Sequence, residues 1–149
     1  MAKIDLIEQT VEMQIRGIEL LNGSWNLHEN HNTTITNFNI NVESRADAPN
    51  KLLFVIVHID IKNDDQSLLL GALSVSCIFE IANFDDVIKI ESDGKLIIPQ
   101  PLIDTLNSIS ISTTRGVMFS TYKGTFLHGA VLPIIDPKQL QINNQIIEK

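Results

Sequence analysis

The chain has 149 residues, a length that suits one domain able to bury roughly two-thirds of its unfolded surface without disulfide or metal staples. Hydrophobic residues make up 44% of it, yet the formal charge is −7; a surplus of carboxylates keeps an apolar-rich chain in solution and argues against nucleic acid as a partner. The start, MAKIDLIEQTVEMQ, has no basic segment followed by an apolar one, and the longest apolar run, LLFVIVHIDI, is interrupted by His58 and Asp60, so residues 1–149 are expected to form a single cytoplasmic domain that does not enter a membrane.

Residues 13–27 alternate, with Met13 and Ile15 on one face, and change phase at Gly17 and again near Asn22 and Gly23, which predicts a long strand with bulges. After HENHNT, Phe38, Ile40 and Val42 alternate with Asn37, Asn39 and Asn41, a second strand with one wet face, closed by the loop SRADAPN. Residues 52–61 put Leu53, Val55, Val57, Ile59 and Ile61 on one face, while Leu52, Phe54 and Ile56 make part of the other apolar too. A turn at KNDDQS leads to a fourth strand, where Leu69, Leu73, Val75, Cys77, Phe79 and Ile81 share a face opposite Leu70, Ala72, Ser74 and Ser76. Consecutive strands with short turns predict a four-stranded antiparallel meander, and the fold class is α+β.

A connection carrying Asp85, Asp86, Glu91 and Asp93 runs to IIPQP, where Pro101 suits the first turn of a helix. Leu102, Ile103, Leu106, Ile109, Thr113 and Val117 form one stripe, expected to lie on the sheet, whereas Ile111, Met118 and Tyr122 fall on the other side. A long helix apolar on two sides needs two things to pack against. Gly124 suits a left-handed stop, Pro133 and Pro137 prevent a continuous helix afterwards, and KQLQINNQIIEK is expected to form a short C-terminal helix.

Catalytic patterns are absent from this reading: there is no GxSxG, no P-loop and no GxGxxG, and the carboxylates cluster in turns as a solvated surface would. His28 and His31 sit in one Asn-rich loop without the helical spacing a zinc hydrolase uses, so neither metal nor cofactor is expected. Cys77, alone in LSVSCIFEI, reads as a buried thiol. Arg115, a charge within the apolar helix, is expected to form a structural ion pair within the subunit or across an interface. The protein is not expected to be an enzyme.

Through MQIRGIELLNGSWNL (13–27), SCIFEIANF (76–84) and TTRGVMFSTYKGTFLHGAVLPIIDP (113–137), in that order, the chain resembles the SecB and SecB-like chaperones. Within these stretches Arg115, Gly124-Thr125-Phe126 and Leu132-Pro133 are the most recognisable pieces. The resemblance implies a four-stranded antiparallel sheet with a long helix, assembled as a dimer of dimers with helices between subunits, and an ATP-independent holdase that keeps unfolded or nascent polypeptides in apolar grooves. It departs from SecB where the acidic residues that meet the SecA motor would lie, since Asn22, Asn26 and Gly71-Ala72 stand there, and QLQINNQIIEK has neither Cys nor His for a zinc tail. SecA binding is therefore expected to be weak, and the role to lie either in protein export or beside an antitoxin.

On this reading Trp25, Leu27, Phe38, Phe54, Ile56, Met118, Tyr122 and Phe126 are the candidate client-binding residues. The alternative is a non-chaperone oligomer of the same fold that binds a small ligand or serves a structural role, with those residues in its core and interfaces.

Overall fold

The structure, a computed structural model, describes residues 1–6, 9–26 and 36–136, and the backbone of 142–146. Its main sheet contains strands β1 (Ala2–Asp5), β2 (Thr10–Trp25), β3 (Thr36–Asp47), β4 (Leu52–Asn63), β5 (Leu69–Ile81) and β8 (Ile142–Ile146), in the order β1-β2-β5-β4-β3-β8. All neighbouring pairs are antiparallel except β3 and β8. The antiparallel part thus holds five strands rather than four, and the order is not a meander. Of the four long strands only β3, β4 and β5 follow one another through short turns; β2, separated from β3 by residues 26–35, instead lies against β5, a Greek-key arrangement.

Between β5 and the long helix stand a short helix, α1 (Phe84–Val87), and a two-stranded ribbon of β6 (Lys89–Ile90) and β7 (Leu96–Ile97). The long helix, α2, covers Gln100–Thr121, with Pro101 in its first turn as expected, and packs across β4 and β5. Residues 122–136 return along it as a strap of turns and extended chain.

One strand boundary and part of one face differ from the sequence reading. Ser44, Arg45, Ala46 and Asp47 belong to β3 rather than to a loop, because Ser44 and Ala46 continue its buried row opposite Val55 and Leu53. In β5 a register irregularity beside Ile61 and Lys62 reverses the first residues, so Leu70 is fully buried while Leu69 turns outward. The rest of the expected core face, from Leu73 to Ile81, is buried.

The helix presents one broad buried face, not two stripes. Leu102, Leu106, Asn107, Ser110, Ile111, Thr114 and Met118 are buried, whereas Ile103, Ile109, Thr113 and Val117 are only half-buried at its flank. Small residues at the centre of that face let the helix approach the sheet; Thr114 Oγ1 answers its own buried polarity by donating to the Ser110 carbonyl at 2.7 Å. Cys77 lies buried beneath, and its thiol is pushed up by burial, as befits an unreactive group.

The expected C-terminal helix is also corrected, since Ile142–Ile146 forms β8, paired in parallel with β3 from Val42 to Ala46. Isoleucine and asparagine favour extended chain or caps over helix interiors, and the outer edge of β3 offers a row of backbone groups that a strand satisfies.

Candidate functional site

The sheet has two unlike faces. On the face turned from α2, Glu43, Ile56 and Ser76 form one row across β3, β4 and β5, and Arg45, Phe54 and Ile78 the next. Ile56 is 6% exposed and Phe54 half-buried, so this face is not the apolar surface that the composition of β4 implies. Polar side chains surround them: within β3, Arg45 Nη2 lies 2.7 Å from Glu43 Oε1, and across strands His58 Nε2 lies 3.5 Å from Glu43 Oε2 and His58 Nδ1 meets Ser74 Oγ at 2.7 Å. His58 is therefore a cross-strand tie; His28 and His31 lie outside the described residues.

On the helix side, β2 is the exception to burial. Its first residues, Thr10–Met13, pair with β1, and Val11 and Met13 are buried. Beyond Met13 no described strand pairs with its outer edge, which leaves the backbone groups of residues 14–25 on that edge available. Register irregularities between Ile15 and Gly17 and between Leu20 and Asn22 each insert one residue. Their effect is to keep apolar residues on one side: Ile15, Ile18 and Leu20 stand opposite Phe79, Cys77 and Val75, all on the helix-facing side of β5. Unlike those partners they are 49%, 49% and 50% exposed. Trp25 continues the row opposite Gly71, and Leu21, at the second irregularity, is also exposed.

The far end of this row is anchored by α2. Tyr122, fully buried, donates its hydroxyl towards the Ser24 carbonyl at 2.9 Å and the Ala72 carbonyl at 3.1 Å, tying the helix end to both β2 and β5. Burial pushes its phenol up to about 12. The Trp25 ring stands edge-on to Tyr122, with centroids 6.4 Å apart, so the tyrosine fixes the tryptophan's lower side and leaves its upper side in solvent. Gly71 is required beneath them: a Cβ there would stand 2.7 Å from Leu127 Cδ1 and 2.9 Å from the Ser24 carbonyl oxygen. Gly124, at φ +81°, turns the chain after the helix so that Leu127 reaches this place.

The sequence-predicted residues divide accordingly. Trp25 and Phe126 are exposed on the helix side; Phe38 is half-buried near the far edge, opposite Ile61. Phe54 and Ile56 belong to the other face. Met118 and Tyr122 are buried inside the chain and present no surface, and Leu27 lies outside the described residues. Ile15, Ile18, Leu20 and Leu21, outside the sequence-based set, are exposed as well, and the phase changes at Gly17 and Asn22 mark the two irregularities that align them. A second exposed apolar region lies along the outer side of α2 and the strap, at Phe119, Val131 and Ile134, where Phe119 packs on His128 with ring centroids 5.2 Å apart.

No protein-family model matches the sequence, and no curated protein does either. Among solved structures, the chain is similar to the SecB-like chaperone Rv1957 of Mycobacterium tuberculosis in complex with a ChAD peptide from the Rv1956 HigA1 antitoxin. The similarity has a TM-score of 0.52 at 15% identity, and it covers 82% of this chain and 83% of that one. The chain thus has a SecB-like fold, one long helix on an antiparallel sheet.

Proposed function

We propose that this protein is an ATP-independent cytoplasmic chaperone that holds extended, unfolded polypeptides on the helix-side surface of β2. The observation that carries the reading is the coincidence, on one strand, of a backbone edge that beyond Met13 has no strand partner among the described residues and a row of half-exposed apolar side chains, Ile15, Ile18, Leu20 and Trp25. An extended chain satisfies both, main chain to the edge and alternate side chains to the row, which selects conformation and hydropathy rather than sequence. The similar structure's antitoxin peptide supports polypeptide as the ligand class, and an antitoxin is a client of the kind proposed.

The magnitudes fit a holdase. Full burial of a large apolar side chain is worth about 1.5–3 kcal/mol, so covering the exposed half of four of them supplies about 3–6 kcal/mol gross. Edge hydrogen bonds add about 0.5–1.5 kcal/mol each, and ordering the client takes back a share. One contact is weak and several along a client are sufficient, which gives retention with easy release and needs no nucleotide.

Self-association as a dimer of dimers is part of the proposal; the apolar outer side of α2 and the strap, with Phe119 and Val131, suits contact with further subunits. Binding to SecA is expected to be weak, since Asn22 and Asn26 are exposed where acidic residues would be needed, and Asn26 instead donates to the Leu69 carbonyl at 3.0 Å. A second reading is a structural oligomer whose copies pair through the β2 edge, the same free edge being its support.

Light scattering of an aggregating denatured protein separates them. Suppression at subunit stoichiometry without nucleotide is expected; no suppression, with an intact oligomer by sizing, supports the structural reading instead.

A further inference from the structure

Arg115 is the only basic residue of α2, and its contacts to the strap are to backbone carbonyls rather than to an acid. Its Nε donates to the Leu132 carbonyl at 2.7 Å and its Nη2 to the Pro133 carbonyl at 2.8 Å. Elsewhere ion pairs join Lys3 to Glu12, Arg16 to Glu80, and Arg45 and His58 to Glu43. In a chain of net charge −7, this guanidinium is clamped by two neutral carbonyls and keeps its whole charge. The clamp aims it: two of its nitrogens hold the strap, which leaves Nη1 for another acceptor.

Beside it lies a cavity of about 240 Å³ between α2 and the strap, lined by Ser108, Ile111, Ser112, Arg115, Ile134 and Ile135. Ser108 and Ser112 are one helical turn apart and Arg115 is three residues further, so two hydroxyls and one cation share a face of the helix. On the strap side Ile135 is half-buried and Ile134 stands exposed at the rim. One positive charge with two neutral donors balances a single negative charge, and a dianion such as phosphate would need a second cation. The three isoleucines suit an aliphatic group attached to that charge.

We infer that this cleft binds a carboxylate carried on an aliphatic group, with the carboxylate on Arg115, Ser108 and Ser112 and the aliphatic part against Ile111, Ile134 and Ile135. This chemistry has two sources: the C-terminal residue of a polypeptide, and a free small carboxylic acid. The site is separate from the β2 row and does not depend on the holdase reading.

Calorimetry with four probes tests it: N-acetyl-isoleucine, its amide, and an acetylated pentapeptide ending in isoleucine as free acid and as amide. The free acids are expected to bind about tenfold or more tightly than the amides, because a charge-assisted contact is lost with the carboxylate. A peptide acid that outbinds the single residue identifies a chain terminus as the ligand; equal binding identifies the free acid. Arg115→Gln should abolish binding, and since it also releases the strap, the double variant Ser108→Val with Ser112→Val provides the check, filling the cleft while leaving both Arg115 hydrogen bonds. That variant should keep its fold and its suppression of aggregation yet lose the free acids. Equal affinity for acids and amides, no binding of any probe, or full binding by the double variant would overturn the inference.

Discussion

β4 and β2 are both rich in large apolar residues, and they meet opposite fates. β4 is apolar on both faces; its helix-side row from Leu53 to Ile61 is buried, as is Ile56 on the other face, and Leu52 and Phe54 are half-buried. β2 is apolar on one face only, yet Ile15, Ile18, Leu20 and Trp25 remain about half in solvent. Position in the sheet, not hydropathy, decides the difference: β4 is flanked on both sides by long strands, whereas β2 beyond Met13 is flanked on one. An apolar strand held half-open at an edge carries a liability that a monomeric domain would normally cover, which is why β2 and not β4 is assigned the client surface.

The comparison is sharpest at the level of stability. Ile59→Ala in β4 should destabilise the fold by about 2–5 kcal/mol in denaturant titrations, as expected for a fully buried large-to-small change. Ile18→Ser with Leu20→Ser in β2 should cost about 1 kcal/mol or less while removing most of the aggregation suppression, since half-exposed sites give up little packing. Equal destabilisation by the two variants would mean that β2 is core and the contrast does not hold.

The junction between the two regions is a place of intermediate effect. Gly71→Ala should destabilise by about 1–3 kcal/mol, because the new methyl meets both Leu127 and the β2 backbone, and it should loosen Trp25 as judged by its fluorescence. Tyr122→Phe should cost about 1–2 kcal/mol by leaving the Ser24 and Ala72 carbonyls with a lost donor. The raised phenol adds a pH signature. Its stabilising contribution is complete below the ordinary tyrosine value of 10.0 and is lost as pH rises towards about 12, because the unfolded chain ionises first. Thermal melts from pH 9 to 12 should show this decline in the parent chain, and Tyr122→Phe should lack the part that Tyr122 contributes.

Much of this arrangement was legible in the sequence. The four long strands, the phase changes of β2, the core face of β5 after Leu73 and the start of α2 all follow from periodicity and proline placement. What escaped was set by tertiary pairing. The free energy that places β2 against β5 and adds β8 to β3 comes from satisfying strand edges, which leaves no periodic trace in either partner. The β2 row escaped for a related reason: alternation shows which residues share a face but not whether that face is covered. Phe54 and Ile56 looked sticky because β4 already had a core face, but cross-strand neighbours close over them. Met118 and Tyr122 read as a second stripe because the helical wheel was centred on Leu102 and Leu106; Ser110 and Thr114, polar yet buried, are the middle of one wide face.

Amide hydrogen exchange of the protein with and without a denatured client addresses the central claim most directly, because it reads strand edges residue by residue. Added client should slow exchange at edge amides within residues 14–25 of β2 and leave those of β4 unchanged; unaltered exchange in β2, or protection confined to other elements, would contradict the assignment of the client surface.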